Sequence, residues 1–174
     1  MSPSAAPALP DGVQLRALTV GDAEALSALN NAATPAVPIT APAALARLVD
    51  VAHLALGLER DGFLIGFVLA IAPATAYDSE NYVYFESRHI DHLYVDRIVI
   101  AEGERGTGLG VVLYDAVFAD ARRYGRHEVT CEVNLDPPNP RSLAFHERLG
   151  FRAVATQATK GGAITVSLLA APVV

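Results

Sequence analysis

Glu104-Arg105-Gly106-Thr107-Gly108-Leu109-Gly110 is the stretch on which the reading of this chain turns. A β-branched apolar segment, Tyr94 to Ile100, precedes it, and a long amphipathic helical pattern follows, so three glycines sit where a strand hands over to a helix. Glycine lets the backbone approach a ligand and adopt conformations that other residues resist. A helix start offers unpaired N–H groups and the positive end of a dipole, which suit a phosphate. The stretch therefore predicts a site for a phosphorylated cofactor. It is not a P-loop, because Gly110 is followed by Val111 and Val112 where Lys and Ser or Thr are needed. Nor is it a dinucleotide fingerprint. Counting from Gly106 or from Gly108, the third glycine position holds Val111 or Leu113.

The rest of the chain narrows the class. Its 174 residues are 52% hydrophobic and 18% charged, which predicts one domain with a sizeable core and argues against disorder. A formal net charge of -6, with no lysine- or arginine-rich run, gives no grip on nucleic acid or anionic lipid. The lone cysteine, Cys131, fits a reducing cytoplasm. Residues 1–11, rich in Ala and Pro, read as a disordered tail rather than a signal peptide, with the domain spanning 12–174. The longest apolar stretch, Phe63 to Ala76, holds Gly66 and Pro73 and is too short to cross a bilayer.

Periodicity predicts strands at Val13–Leu18, Ala52–Glu59, Phe63–Ile71, Tyr94–Ile100, His127–Val133, Phe151–Gln157 and Ala163–Leu169. Helices are predicted from Thr19 or Asp22 to Ala33, over Ala41–Val51, from the glycines to Gly125, and from Asn139 to Gly150. Asp61-Gly62 and Lys160-Gly161-Gly162 mark hairpins. This order gives an α/β or α+β fold, a sheet covered by helices. Tyr77 to Asp91, aromatic and polar without a clean period, reads as a binding loop offering Tyr77, Asp78, Asn81 and Tyr82 to a substrate. A packed loop or a dimer contact is the alternative.

Arg105, Gly108 and Gly110 form an Arg-x-x-Gly-x-Gly pattern that resembles the acyl-CoA loop of the GCN5-related N-acetyltransferase (GNAT) superfamily. Asn139 to Phe151, Asn-Pro-Arg-Ser-Leu-Ala-Phe-His-Glu-Arg-Leu-Gly-Phe, is similar to a second helix motif of that superfamily. The resemblance runs from about Val13 to Leu169 in element order. It implies a mixed, mostly antiparallel sheet of six to seven strands, helices on both faces, and a splayed strand pair that holds acetyl-CoA. Ile98, Val99 and Ile100 would meet pantetheine. The N–H groups of Gly106, Thr107, Gly108, Leu109 and Gly110 would hold the pyrophosphate beside Arg105, with Asn139, Ser142 and Phe145 completing the cofactor site. A homodimer follows from family habit.

Acetyl transfer to an amine needs a base, a donor for the oxyanion and a proton for the departing thiolate. Glu132, in a Glu-Val segment that resembles that of the ribosomal-protein N-terminal acetyltransferases, is the first candidate base. Asp96 is its rival. Strand alternation puts Asp96 on one face with Tyr94, Ile98 and Ile100, unless it simply pairs with Arg97. His146 stands where many relatives carry a proton-donating tyrosine, and families resembling phosphinothricin acetyltransferase also carry histidine there. It is either the acid or a hydrogen-bonded packing histidine. Tyr94, Tyr82 and Tyr84 are substitutes, and Tyr94 is also a candidate substrate contact. Cys131 reads as a small buried hydrophobe rather than a nucleophile. No metal is called for. The leading expectation is an acetyl-CoA-dependent N-acetyltransferase acting on a primary amine of a small molecule by direct attack in a ternary complex. A protein N-terminus or lysine is the alternative acceptor, and a non-catalytic acyl-CoA sensor is the alternative class.

Overall fold

The computed structural model describes residues 8–174. Residues 1–7 of the expected N-terminal tail lie outside the described residues, and near its end the Pro10 carbonyl accepts the Val13 N–H in a turn. Asp61 and Gly62 take left-handed φ values of 52° and 82°, and this two-residue turn pairs β2 (Leu54–Arg60) with β3 (Phe63–Ile71). Five more strands join them: β1 (Val13–Ala17), β4 (His92–Ile100), β5 (Glu128–Asp136), β6 (Arg152–Thr159) and β7 (Ile164–Pro172). They form one seven-stranded sheet in the order β1-β2-β3-β4-β5-β7-β6. Only β4 and β5 run parallel.

Period-2 alternation divides the core into two layers. Val68 and Ala70 of β3 face the cluster built on α4 (Leu109–Arg123) and α5 (Pro140–Arg148). Phe67, Leu69 and Ile71 face the cluster built on α1 (Ala23–Ala32), α2 (Pro42–Val51) and α3 (Glu80–Ser87). Each layer rests on fully buried side chains such as Leu113 and Leu26, whose truncation to Ala costs about 2–5 kcal/mol at such sites.

Two expectations change. The segment Tyr77–Asp91 is not an irregular loop, because α3 occupies its middle. Its inward residues are Tyr82 and Phe85, three apart on one face. The Tyr82 hydroxyl donates to the Ala72 carbonyl at 2.9 Å, so a residue that scores as polar is core, which hides the helical period.

The second change lies in β4. Leu69 pairs with Arg97 and Ala70 with Val95, so Asp96 is an extra, bulged residue. Simple alternation therefore fails. Leu93, Val95, Ile98 and Ile100 pack on the α4 layer, whereas Tyr94 and Val99 pack on the α1–α3 layer. Asp96 shares the side of Tyr94 but not that of Ile98 and Ile100. Just before the bulge β4 also leaves its parallel neighbour, for β4 and β5 pair only from His92/Glu128 to Tyr94/Thr130. From there the two strands part.

Candidate active site

A cleft of about 1110 Å³ passes through the gap between β4 and β5 and joins the two faces of the sheet. On the α4 side it is lined by backbone. Gly106 and Gly108 adopt φ of +83° and +89°, and a Cβ on either would meet nothing within 4 Å. Here glycine is required by conformation, since a left-handed residue with a side chain costs about 1–2 kcal/mol. Among the described residues, the N–H groups of Gly106 to Gly110 donate to no protein acceptor. Val111 and Val112 already point back to the Gly108 carbonyl, so the free donors sit at the first turn of α4. A Cβ on Gly110 would come within 3.0 Å of the Phe145 ring, so this glycine lets α5 close on α4. Free donors at a helix start, beside an unpaired strand gap, fit a pyrophosphate followed by an extended pantetheine arm.

Arg105 is exposed and its Nε donates to the Ile100 carbonyl at 3.3 Å. Thr107 does not line the cleft; its hydroxyl closes the turn on the Glu104 carbonyl at 2.6 Å. Asn139 caps α5 by accepting the Ser142 N–H at 3.2 Å, and Asn139, Ser142 and Phe145 all line the cleft.

On the other face the lining is made of side chains. The alternation of β5 sends Cys131 and Val133 into the α4 layer and Glu132 to the opposite side. Glu132 Oε2 accepts the Tyr94 hydroxyl at 2.7 Å. Burial first, and then the charge of Asp96, push the Glu132 carboxyl up to about 8, while Tyr94, the Asn81 amide and Arg97 act the other way. Asp96 accepts the Tyr77 hydroxyl at 2.5 Å and Arg97 Nε at 3.1 Å. Arg97 in turn donates to Asn30 at 2.9 Å and to Thr40 at 3.1 Å, which ties the segment between α1 and α2 to β4.

His146 is only 3% exposed. Its Nδ1 lies 2.8 Å from the Ser142 carbonyl, an acceptor, so Nδ1 carries the proton and Nε2 accepts the Tyr114 hydroxyl at 2.7 Å. Burial lowers His146 below its ordinary value, and burial lifts Tyr114. Both are neutral at pH 7, and the mobile proton of the pair rests on Tyr114. Cys131 is a free, buried thiol, pushed up by burial and then by Glu132, and so is unactivated.

Of the residues expected to meet a substrate, Tyr77, Asp78 and Asn81 line the cleft. Tyr82 and Tyr94 do not: both are buried, because an aromatic ring on the inward face of α3 or β4 is core whatever its hydroxyl does. Tyr94 reaches the cleft only through Glu132. Several lining residues were not expected. Tyr114 lies four residues after Gly110 on α4, a spacing that puts it on the glycine face and was the available signal. Ala32–Pro38, Asn134, Thr159, Lys160, Ile164 and Val166 carry no local pattern. They meet through long-range bonds, as Asn134 Nδ2 donates to the Pro35 carbonyl at 3.2 Å, Gln157 to Asn81 at 3.0 Å, and the Lys160 N–H to Glu80 at 3.1 Å. Among the described residues no cluster of His, Cys, Asp and Glu could hold a metal, and no helix is long and apolar enough to cross a membrane.

A sheet split between parallel neighbours, with a glycine-lined helix start at one mouth and a half-buried carboxyl at the other, fits an acyl-CoA-dependent transferase. Residues 24–151 match the Acetyltransferase (GNAT) family, and the chain belongs to it. No curated protein matches the sequence. Solved structures share the fold. The ribosomal-protein-S18-alanine N-acetyltransferase from Escherichia coli is 16% identical with a TM-score of 0.70, over 92% of this chain and 94% of its own. YncA from Salmonella typhimurium, solved with its cofactor acetyl-CoA, is 17% identical with a TM-score of 0.69, over 93% and 94%. Nourseothricin acetyltransferase is 20% identical with a TM-score of 0.67, over 94% and 99%. The chain is an acetyl-CoA-dependent N-acetyltransferase.

Proposed function

We propose that this enzyme acetylates a primary amine of a small molecule by direct attack in a ternary complex, with Glu132 as the base. The observation that carries this reading is the position of Glu132, a carboxyl raised to about 8 where the strand gap opens into the α1–α3 face. A base near the working pH takes a proton most effectively. The bonds Asn134–Pro35, Gln157–Asn81 and Lys160–Glu80 bound that chamber and favour a compact acceptor.

Acetyl-CoA supplies an activated thioester. Gly106 to Gly110 and the helix start would hold its pyrophosphate, and Ile98 to Ile100 would offer backbone groups to the arm. Asp96, anchored by Tyr77 and Arg97, attracts the cationic form of the amine, and Glu132 Oε1 then takes its proton. Tyr114 and His146 share the proton available to the departing sulfur, with His146 positioned by Ser142.

The test is release of free CoA thiol against small amines and amino acids, with a peptide bearing a free N-terminus in parallel. Turnover on small amines at least as fast as on the peptide is expected; the reverse preference overturns the acceptor class. Glu132→Gln should lower kcat roughly 10²–10⁴-fold with thermal stabilisation by CoA retained. A loss below about threefold removes Glu132 as base.

A further inference from the structure

We propose that Tyr94 is a positioning residue for the reaction: from behind the cleft it orients the Glu132 carboxylate and, against the opposing action of Asp96, sets the pH at which that base works. The inference rests on the reading of Glu132 as base.

Three observations carry it. Tyr94 is 0% exposed and does not line the cleft, so it touches neither donor nor acceptor. Its ring is fixed between Tyr82 and Phe85, with centroids at 5.6 and 5.9 Å, which leaves the hydroxyl little freedom. That hydroxyl, which must find a partner when buried, donates to Glu132 Oε2 at 2.7 Å. The strand geometry makes the contact possible. Tyr94 pairs with Thr130 as the last rung before β4 and β5 part, and its side chain bridges to β5 two residues further on. With Oε2 occupied, Oε1 is the oxygen left to take the proton of the amine.

Asp96 acts in the opposite sense. The bulge turns it to the same face as Tyr94, and Tyr77 and Arg97 bind it there, where its charge raises Glu132. A hydrogen bond donated to a carboxylate favours its charged form, and a neighbouring anion disfavours it. The other groups facing Glu132 are Tyr77 from the segment before α3, Asn81 from α3, Arg97 from β4, Tyr114 from α4, and Cys131 beside it on β5. None of these others is both sealed from the cleft and bonded to the carboxyl. Phe at position 94 would keep the ring packing and lose only the bond.

The experiment is a carbon-13 titration of the ligand-free enzyme labelled at the glutamate side-chain carboxyls, the Glu132 signal being the one lost in Glu132→Gln. The wild-type midpoint is expected at about 8. Tyr94→Phe should move it up by about one unit, and Asp96→Asn should move it down by a similar amount. The acid limb of kcat at saturating acceptor should move the same way, whereas loss of packing alone moves neither midpoint. Should Tyr94→Phe fail to fold, 3-fluorotyrosine at position 94, a stronger donor of nearly the same shape, should move the midpoint down. A Tyr94 variant whose midpoint stays within about 0.3 unit of wild type overturns the inference. If instead Glu132→Gln keeps the wild-type rate and acid limb, the base assignment fails while the titration still reports on Tyr94.

Discussion

The two mouths of the cleft are built from different materials. The donor mouth is backbone: two left-handed glycines, five free N–H groups and a strand whose outer side is unpaired. The acceptor mouth is side chains brought together from remote parts of the chain, with Asn134 and Pro35 99 residues apart and Gln157 and Asn81 76 apart. Backbone recognition needs only a conformation, so it tolerates many side chains around it. Side-chain recognition depends on each partner. The donor mouth should therefore fail through strain, and the acceptor mouth through the loss of single contacts.

The sharpest way to break this contrast is Gly108→Val. A β-branched residue held at φ +89° should raise KM for acetyl-CoA roughly tenfold or more and leave KM for the amine unchanged. An unchanged donor KM would mean that the loop does not act through its conformation. A smaller effect is expected at the other mouth. Asn134→Ala, which frees the Pro35 carbonyl, should raise acceptor KM by about threefold to tenfold with donor KM unmoved. Movement of donor KM instead would show that the two mouths are coupled.

The smallest effect is on stability and it changes with pH. Glu132 has an ordinary value of 4.5 and is pushed up to about 8 in the folded chain. Between those values the folded state holds a proton that the unfolded state lacks. The stabilising contribution is therefore full below pH 4.5 and lost as pH rises through about 8. Glu132→Gln cannot titrate. Its Tm relative to wild type should rise from pH 5 to pH 9, by a few degrees. A constant difference across that range would mean that the carboxyl is not raised by desolvation and by Asp96 as described.

The same contrast explains what the sequence revealed. Turn residues and helix starts act locally, so Asp61-Gly62, the glycine loop and the Asn139 cap could be read directly, and with them nearly every strand and helix. Glu132 and Asp96 were visible as strand carboxylates, but not their relation. That depends on a bulge set by pairing with β3, which no spacing within β4 announces. Tyr82 and Tyr94 carry hydroxyls that suit a substrate contact, yet packing places both rings in the core. Tyr114 is the reverse case, hidden among apolar helix residues with its hydroxyl turned to His146.

The extra residue in β4 has a consequence for chain length. Without Asp96, Val95 would be followed by Arg97 and Ile98 in unbroken alternation, and every apolar residue of the strand would keep the layer it now occupies. The core is indifferent to whether Asp96 is there. A single deletion would thus return an ordinary, regular strand while stripping one carboxyl from beside Glu132. In this strand the parity of the core and the inventory of the cleft differ by one residue, so the two can vary independently.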